Sequence, residues 1–169
     1  MGGSTTVEGP DFSHGIAIAE IPSEGSLAGR VGDEPVLLSR LDGQLFAVSG
    51  LCTHYGAALA CGLMKDGTVR CPLHHSSFDL RTGRALHAPA LDDLDRWDVA
   101  VEGGRVFVRT KSTPSGRRRT RAATRVKKVV IVGGGAAGLA CANQLRKLGY
   151  DGSITMLSAD EDPPYDRPN

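Results

Sequence analysis

Two short segments, Cys52-Thr53-His54-Tyr55-Gly56 and Cys71-Pro72-Leu73-His74-His75, decide how this chain is read, with sixteen residues between His54 and Cys71. Each brings one thiol and one imidazole together within a turn, as C-x-H and as C-x-x-H. Thiolate and imidazole are soft to borderline donors, and two such pairs on two loops suit a small inorganic centre. Two centres match the donor set. One is zinc in a Cys₂His₂ site; the other is a [2Fe–2S] cluster with two thiolates on one iron and two imidazoles on the other. A zinc finger groups its cysteines apart from its histidines and carries the histidines on a helix. Here each loop supplies one of each, in β-like surroundings, which favours the cluster.

The flanks of these loops read as antiparallel β structure. Residues 16–21, 36–41 and 44–49 are short strand-type runs, and Asp42-Gly43 between the last two is a hairpin signal. Asp66-Gly67 precedes another short run at 68–70, and Gly103-Gly104 separates runs at 97–101 and 106–109. No window before residue 110 sustains a helical apolar repeat over three turns. Many short strands with glycine-rich turns indicate an antiparallel all-β domain.

The chain has 169 residues, with 20 Lys+Arg against 19 Asp+Glu and a net charge of +1. No global field marks it for nucleic acid. Hydrophobic residues make up 40%, enough for a modest core. The longest near-apolar run, 129–142, is too short and too glycine-rich for the ~20 apolar residues of a spanning helix. No charged-then-apolar leader opens the chain, so the expectation is a cytoplasmic protein with no membrane partner. A reducing compartment keeps Cys52, Cys61, Cys71 and Cys141 as thiols rather than as two disulfides. The even total hides an uneven layout: residues 1–110 sum to −5, residues 111–128 to +8 and residues 129–169 to −2. The middle stretch holds Ser112, Pro114, Ser115 and Gly116 and no acid, and reads as a solvated basic linker rather than a nucleic-acid site.

Over residues 12–110 the chain resembles the Rieske ferredoxin family. The likeness includes both loops, then Phe78-Asp79-Leu80 and Arg81-Thr82-Gly83. It implies small antiparallel sheets with the cluster at the tip, Cys52 and Cys71 on the buried iron, and His54 and His74 on the outer one. High-potential members of that family carry an extra cysteine in each loop, joined as a disulfide; the matching positions here are Ala57 and Leu73. Those members also have a serine and a tyrosine that donate hydrogen bonds to cluster sulfurs. Ser76 keeps the first and Phe78 replaces the second. Two ferric ions, two sulfides and two thiolates sum to zero charge, whereas a four-cysteine cluster is dianionic, so an electron enters at lower cost. With these residues the expected potential lies near the low end of the Rieske range, about −150 mV. His75 is expected to be exposed or hydrogen-bonded rather than a fifth ligand, and His14 and His87 to lie on the surface. Cys61 is expected to pack as a small apolar residue beside the first loop, and Trp97 to sit in the core.

Past the linker the pattern changes to strand (128–132), helix (136–148) and strand (154–157), one βαβ unit. Gly133-Gly134-Gly135-Ala136-Ala137-Gly138 joins its first strand to its helix as G-x-G-x-x-G. Gly133 allows the tight turn, Gly135 lets a pyrophosphate approach the backbone, and Gly138 permits close helix packing. The phosphates would sit at the positive end of the helix. Asp160, just after the second strand, is the candidate carboxylate for the adenosine ribose. Pro163-Pro164-Tyr165-Asp166-Arg167-Pro168-Asn169 resembles the first flavin segment of apoptosis-inducing-factor-like and ferredoxin reductases, whose arginine lies against FAD; the matching residue is Arg167. A Rieske module, a linker and a flavin domain is the layout of Rieske-containing, apoptosis-inducing-factor-like reductases. In that layout NAD(P)H reduces FAD, and FAD passes single electrons to the cluster. Complete members run on for several hundred residues and carry a second glycine fingerprint for NAD(P)H. About forty residues do not complete a doubly wound sheet, so the chain reads as truncated and the segment is expected to bind FAD weakly or not at all.

The sequence therefore predicts a mainly β fold: a Rieske-type iron–sulfur domain (12–110), a basic linker (111–128) and an incomplete dinucleotide-binding βαβ segment (129–169). The expected function is one-electron transfer with a redox protein partner, within a FAD- and NAD(P)H-dependent reductase layout. Two alternatives stand beside it. One is the ferredoxin component of a ring-hydroxylating dioxygenase system. An oxygenase itself needs a two-histidine, one-carboxylate iron site, and no histidine follows His87. The other is a zinc-stabilised interaction module.

Overall fold

A computed structural model describes residues 9–112, 126–160, 162 and 164. The chain forms two units, Met1–Pro114 and Ser115–Asn169. The strands of the first are β1 (Ile16–Ala17), β2 (Gly25–Val31), β3 (Glu34–Leu41), β4 (Gln44–Ser49), β5 (Leu63–Lys65), β6 (Thr68–Arg70), β7 (Ser77–Asp79), β8 (Ala85–His87), β9 (Arg96–Glu102) and β10 (Arg105–Ser112). A base sheet runs in the order β1-β10-β9-β4-β3-β2, and a smaller one in the order β5-β6-β7-β8. Every neighbouring pair in both is antiparallel.

The two Asp-Gly pairs make the hairpins that their sequence predicts. Asp42 and Gly43 have φ of 51° and 75°, and Asp66 and Gly67 have 50° and 73°. Two successive positive φ values match the right-handed twist of the flanking strands. The run at 16–21 behaves differently from its sequence reading. Only Ile16–Ala17 pair as a strand, and Ile18–Glu20 turn into a short 3-10 helix. The Glu20 carboxylate accepts the Ala17 N–H at 2.9 Å, and the Gly104 carbonyl accepts that of Ile18, so local capping wins over strand propensity.

β3 is the wall between two cores. Val36 and Leu38 point into one, with Phe12, Ile16, Ile21, Ala47, Trp97, Val106 and Val108. Leu37 and Leu41 point into the other, with Val48, Cys52, Leu59, Val69, Cys71, Phe78, Leu80, Ala90 and Leu94. A strand buried on both faces reads as an unbroken apolar run, which is why Val36-Leu37-Leu38 does not alternate. Trp97 lies in the first core, as its sequence reading has it.

Residues 50–95 leave the base sheet from β4 and return on β9. These two strands are neighbours, with Ala47 opposite Trp97 and Val48 opposite Arg96. The Ser49 N–H donates to the Asp95 carbonyl at 2.9 Å and closes the neck. Everything that carries the two Cys–His loops is therefore one excursion with both ends fixed on the same rigid pair of strands.

The second unit pairs β11 (Lys128–Val132) in parallel with β12 (Ser153–Leu157), joined through α1 (Ala136–Lys147). This is the βαβ pattern of the sequence. Among the described residues no helix is long and apolar enough to cross a membrane.

Phe12 is fully buried, and its ring occupies the space that a Cβ on Gly29 would take in β2. Its core lies on the far side of β3 from Cys52 and Cys71. Phe12→Ala is expected to cost about 3–5 kcal/mol in a denaturant titration followed by circular dichroism. The visible spectrum of the folded protein should stay unchanged; a spectral change would mean that the two cores are not separate.

Candidate metal centre

The two Cys–His loops share one backbone frame. In the first, the Cys52 N–H donates to the Ala57 carbonyl at 2.8 Å, and the Gly56 N–H donates back to the Cys52 carbonyl at 2.8 Å. In the second, the Cys71 N–H donates to the Ser76 carbonyl at 2.8 Å, and the His75 N–H donates back to Cys71 at 3.2 Å. The fifth residue of each loop takes the left-handed conformation, Gly56 with φ 70° and His75 with φ 65°. Glycine adopts it freely, whereas a histidine there carries a local cost.

This frame sorts the four candidate donors into two pairs. Cys52 and Cys71 are buried, 3% and 2% exposed, and their sulfurs lie within hydrogen-bonding reach of each other. His54 is half-buried and His74 exposed. Their Nδ1 atoms lie 3.2 Å apart, with the rings crossed at 81°. Two nitrogens held at about 2.0–2.1 Å by one tetrahedral metal would be about 3.4 Å apart, so this spacing fits a shared ion. Sulfur thus meets sulfur on the inside, and imidazole meets imidazole at the surface. Among the described residues, no three or more His, Cys, Asp or Glu side chains gather closely enough to hold one metal ion. Two pairs of unlike donors fit a two-iron cluster, one pair to each iron, better than they fit a single zinc.

The electrostatics suit a centre of low charge. Burial pushes the Cys52 thiol above its ordinary pKa; the His54 N–H aimed at the sulfur pulls the other way, the adjacent Cys71 sulfur adds to the rise, and the Tyr55 N–H again lowers it. A buried thiolate needs a cation or donors beside it, and both N–H groups come from the loop itself. Residues 51–62 and 71–78 contain no Asp, Glu, Lys or Arg.

A third segment straps both loops down. The Thr53 hydroxyl donates to the Asp92 carbonyl at 2.6 Å, and the Ala90 N–H donates to the Ser76 hydroxyl oxygen at 2.9 Å. Ser76 and Phe78 are both fully buried, Phe78 in the core that contains the two cysteines. Ala57 packs against that core, whereas Leu73 is 56% exposed. His75 and His87 are exposed, and His14 lies 3.9 Å from the Asp11 carboxylate at the surface. Cys61 corrects its sequence reading: it is exposed, because Leu59 takes the inward side of the 3-10 turn Leu59–Cys61. The strap and the crossed rings are invisible to a motif reading, since they join residues 14 to 39 positions apart.

In the second unit, Gly133 turns with φ 108° and its N–H donates to the Leu157 carbonyl at 2.8 Å. A Cβ on Gly138 would run into the Gly133 carbonyl oxygen, and one on Gly134 into the Ser158 hydroxyl. Gly135, at the start of α1, has open space where a side chain would stand. Asp160 is exposed, and its N–H donates to the Ser158 hydroxyl at 3.1 Å. Arg167 lies outside the described residues, as do residues 113–125 of the basic stretch.

Residues 15–98 match the Rieske [2Fe-2S] domain family, and residues 127–169 match the pyridine nucleotide-disulphide oxidoreductase family. The chain is 38% identical over 144 residues to Apoptosis-inducing factor 3 of Homo sapiens, covering 79% of this chain and 24% of that protein. It is 36% identical over 93 residues to the ferredoxin component of the naphthalene 1,2-dioxygenase system of Pseudomonas aeruginosa, covering 55% and 89%. With the 3-phenylpropionate/cinnamic acid dioxygenase ferredoxin subunit of Escherichia coli (strain K12) the identity is 40% over 93 residues, covering 54% and 86%. The ferredoxin of carbazole 1,9a-dioxygenase from Nocardioides aromaticivorans IC177 superposes with a TM-score of 0.53 at 28% identity, covering 56% of this chain and 92% of that one. The chain thus spans about a quarter of the factor's length and most of each ferredoxin's. The loops, the small sheets around them and these likenesses agree: the chain belongs to the Rieske [2Fe–2S] family.

Proposed function

We propose that this chain is a one-electron carrier in which Cys52 and Cys71 hold the inner iron, and His54 and His74 the outer iron, of a [2Fe–2S] cluster. The observation that carries the reading is the pairing of sulfur with sulfur inside and of imidazole with imidazole at the surface. When bound, such a cluster supplies one reversible electron at a centre that is uncharged when oxidised.

The chain's own residues do the rest. Loop N–H groups of His54 and Tyr55 support the Cys52 thiolate in its buried position. Ser76 accepts the Ala90 N–H, which leaves its own hydroxyl proton available to donate to a further acceptor. Phe78 offers no such proton, and Ala57 and Leu73 form no disulfide. These residues support a potential near the low end of the Rieske range, about −150 mV. The exposed imidazole edge is the face through which a redox protein gives or takes the electron.

The wider assignment is a Rieske module of a FAD- and NAD(P)H-dependent reductase. It is supported by the match of residues 127–169 and by the likeness to Apoptosis-inducing factor 3. Within it, the turn at Gly133, the open approach at Gly135 and the tight packing at Gly138 suit a pyrophosphate. Asp160 would take the ribose, and Arg167 would lie against the flavin. The compartment that keeps all four thiols reduced is the cytoplasm. A second reading, the ferredoxin component of a ring-hydroxylating dioxygenase system, is favoured by the near full-length coverage of such ferredoxins.

Anaerobically reconstituted protein is expected to contain two iron and two acid-labile sulfide per chain and to take up one electron in a dithionite titration. Stoichiometric zinc without sulfide would contradict the assignment. Ser76→Ala should lower the midpoint potential and Phe78→Tyr should raise it. A hydrogen bond worth about 1 kcal/mol more in the reduced state moves a one-electron potential by about 40 mV. Ser76→Ala also leaves the Ala90 N–H without its partner and should cost about 1–3 kcal/mol in a melt. Unmoved potentials in both variants would mean that neither position reaches the cluster.

A further inference from the structure

The shared frame of the two loops allows them to be aligned slot by slot from their cysteines. Two residues after each cysteine stand His54 and Leu73; three residues after, Tyr55 and His74. Both loops close with the same pair of hydrogen bonds and the same left-handed fifth residue, so slots correspond in backbone geometry as well as in count. Tyr55 therefore occupies, in the first loop, the place from which His74 reaches the site in the second.

Its ring is where that correspondence puts it. The Tyr55 centroid lies 4.4 Å from that of His54, crossed at 79°, and 5.8 Å from that of His74, crossed at 63°. With the two imidazoles 5.0 Å apart, the three rings form a closed triangle of edge-to-face contacts. The backbone beneath Tyr55 is pinned on both sides. Its own N–H is directed at the Cys52 sulfur, and the next N–H, from Gly56, donates to the Cys52 carbonyl. One residue thus contacts three of the four candidate ligands, its ring lying against both imidazoles while the residue stays 44% exposed.

We infer that Tyr55 is a positioning residue: its ring braces the His54 and His74 imidazoles in their crossed arrangement and shields the outer iron's ligands from solvent. The inference rests on the cluster assignment above. The work is done by the face and bulk of the ring, since the hydroxyl is not needed for an edge-to-face contact.

The 169-residue wild-type chain and its Tyr55→Phe, Tyr55→Leu and Tyr55→Ala variants are reconstituted in parallel with iron and sulfide. Low-temperature EPR of the reduced proteins reports the ligand geometry, and the rate of iron release to bathophenanthroline reports the shielding. Far-UV circular dichroism checks that each variant is folded. Residues that orient ligands without touching the metal commonly carry tenfold or more in affinity, so iron release about tenfold faster is expected for the Leu and Ala variants, with broadened EPR lines. The Phe variant should stay within about twofold of wild type. Tyr55→Leu matching wild type in both readouts overturns the brace and leaves the cluster assignment standing. Tyr55→Phe behaving like Tyr55→Ala overturns it too, by giving the role to the hydroxyl. A wild-type chain that takes up no iron and sulfide overturns the cluster assignment, and the brace with it.

Discussion

Two backbone hydrogen bonds, repeated in two loops, are the constraint on which the site depends. In each loop the cysteine N–H is tied to the carbonyl five residues on, and the cysteine carbonyl receives the N–H four residues on. That ring of chain holds the cysteine backbone in place, and its side chain lies inward in the core of Leu59, Val69, Phe78 and Leu80. The histidine two or three residues later has only the outer side left. Separation of thiol from imidazole follows from closure of the loops, not from any direct preference of one side chain for another.

The surrounding fold keeps that closure rigid. The excursion at 50–95 begins and ends on two paired strands of the base sheet, and its inner face rests on Leu37 and Val48 of that sheet. The strap at Ala90 and Asp92 then ties the second and the first loop, respectively, to the returning chain. A centre that gains and loses an electron is served by donors whose positions are already set, because less of the protein must move with each transfer. The absence of charged side chains from both loops acts in the same direction, since no nearby ion must rearrange when the centre changes charge by one.

What could be read from the sequence and what could not divides along physical lines. The donor pairs, the Asp-Gly hairpins and the βαβ pattern at 128–157 are short-range signals and were legible residue by residue. β2 was not: Gly25-Ser26-Leu27-Ala28-Gly29-Arg30-Val31 has weak strand propensity, and pairing with β3 makes it a strand. Gly29 is there because the Phe12 ring fills the space beside it. Cys61 looked apolar from its type, yet the turn that ends on it gives the inward position to Leu59. The left-handed His75 and the ring triangle around Tyr55 depend on how two distant loops close. The one sequence signal for them was an alignment of the loops on their cysteines.

In the proposed centre two imidazoles, and only two, bind the outer iron. Pulsed electron–nuclear double resonance on the reduced protein, prepared with and without ¹⁵N-labelled histidine, counts these nitrogens directly. Two strongly coupled histidine nitrogens, both changing with the label, are expected. One such nitrogen, or none, would contradict that assignment.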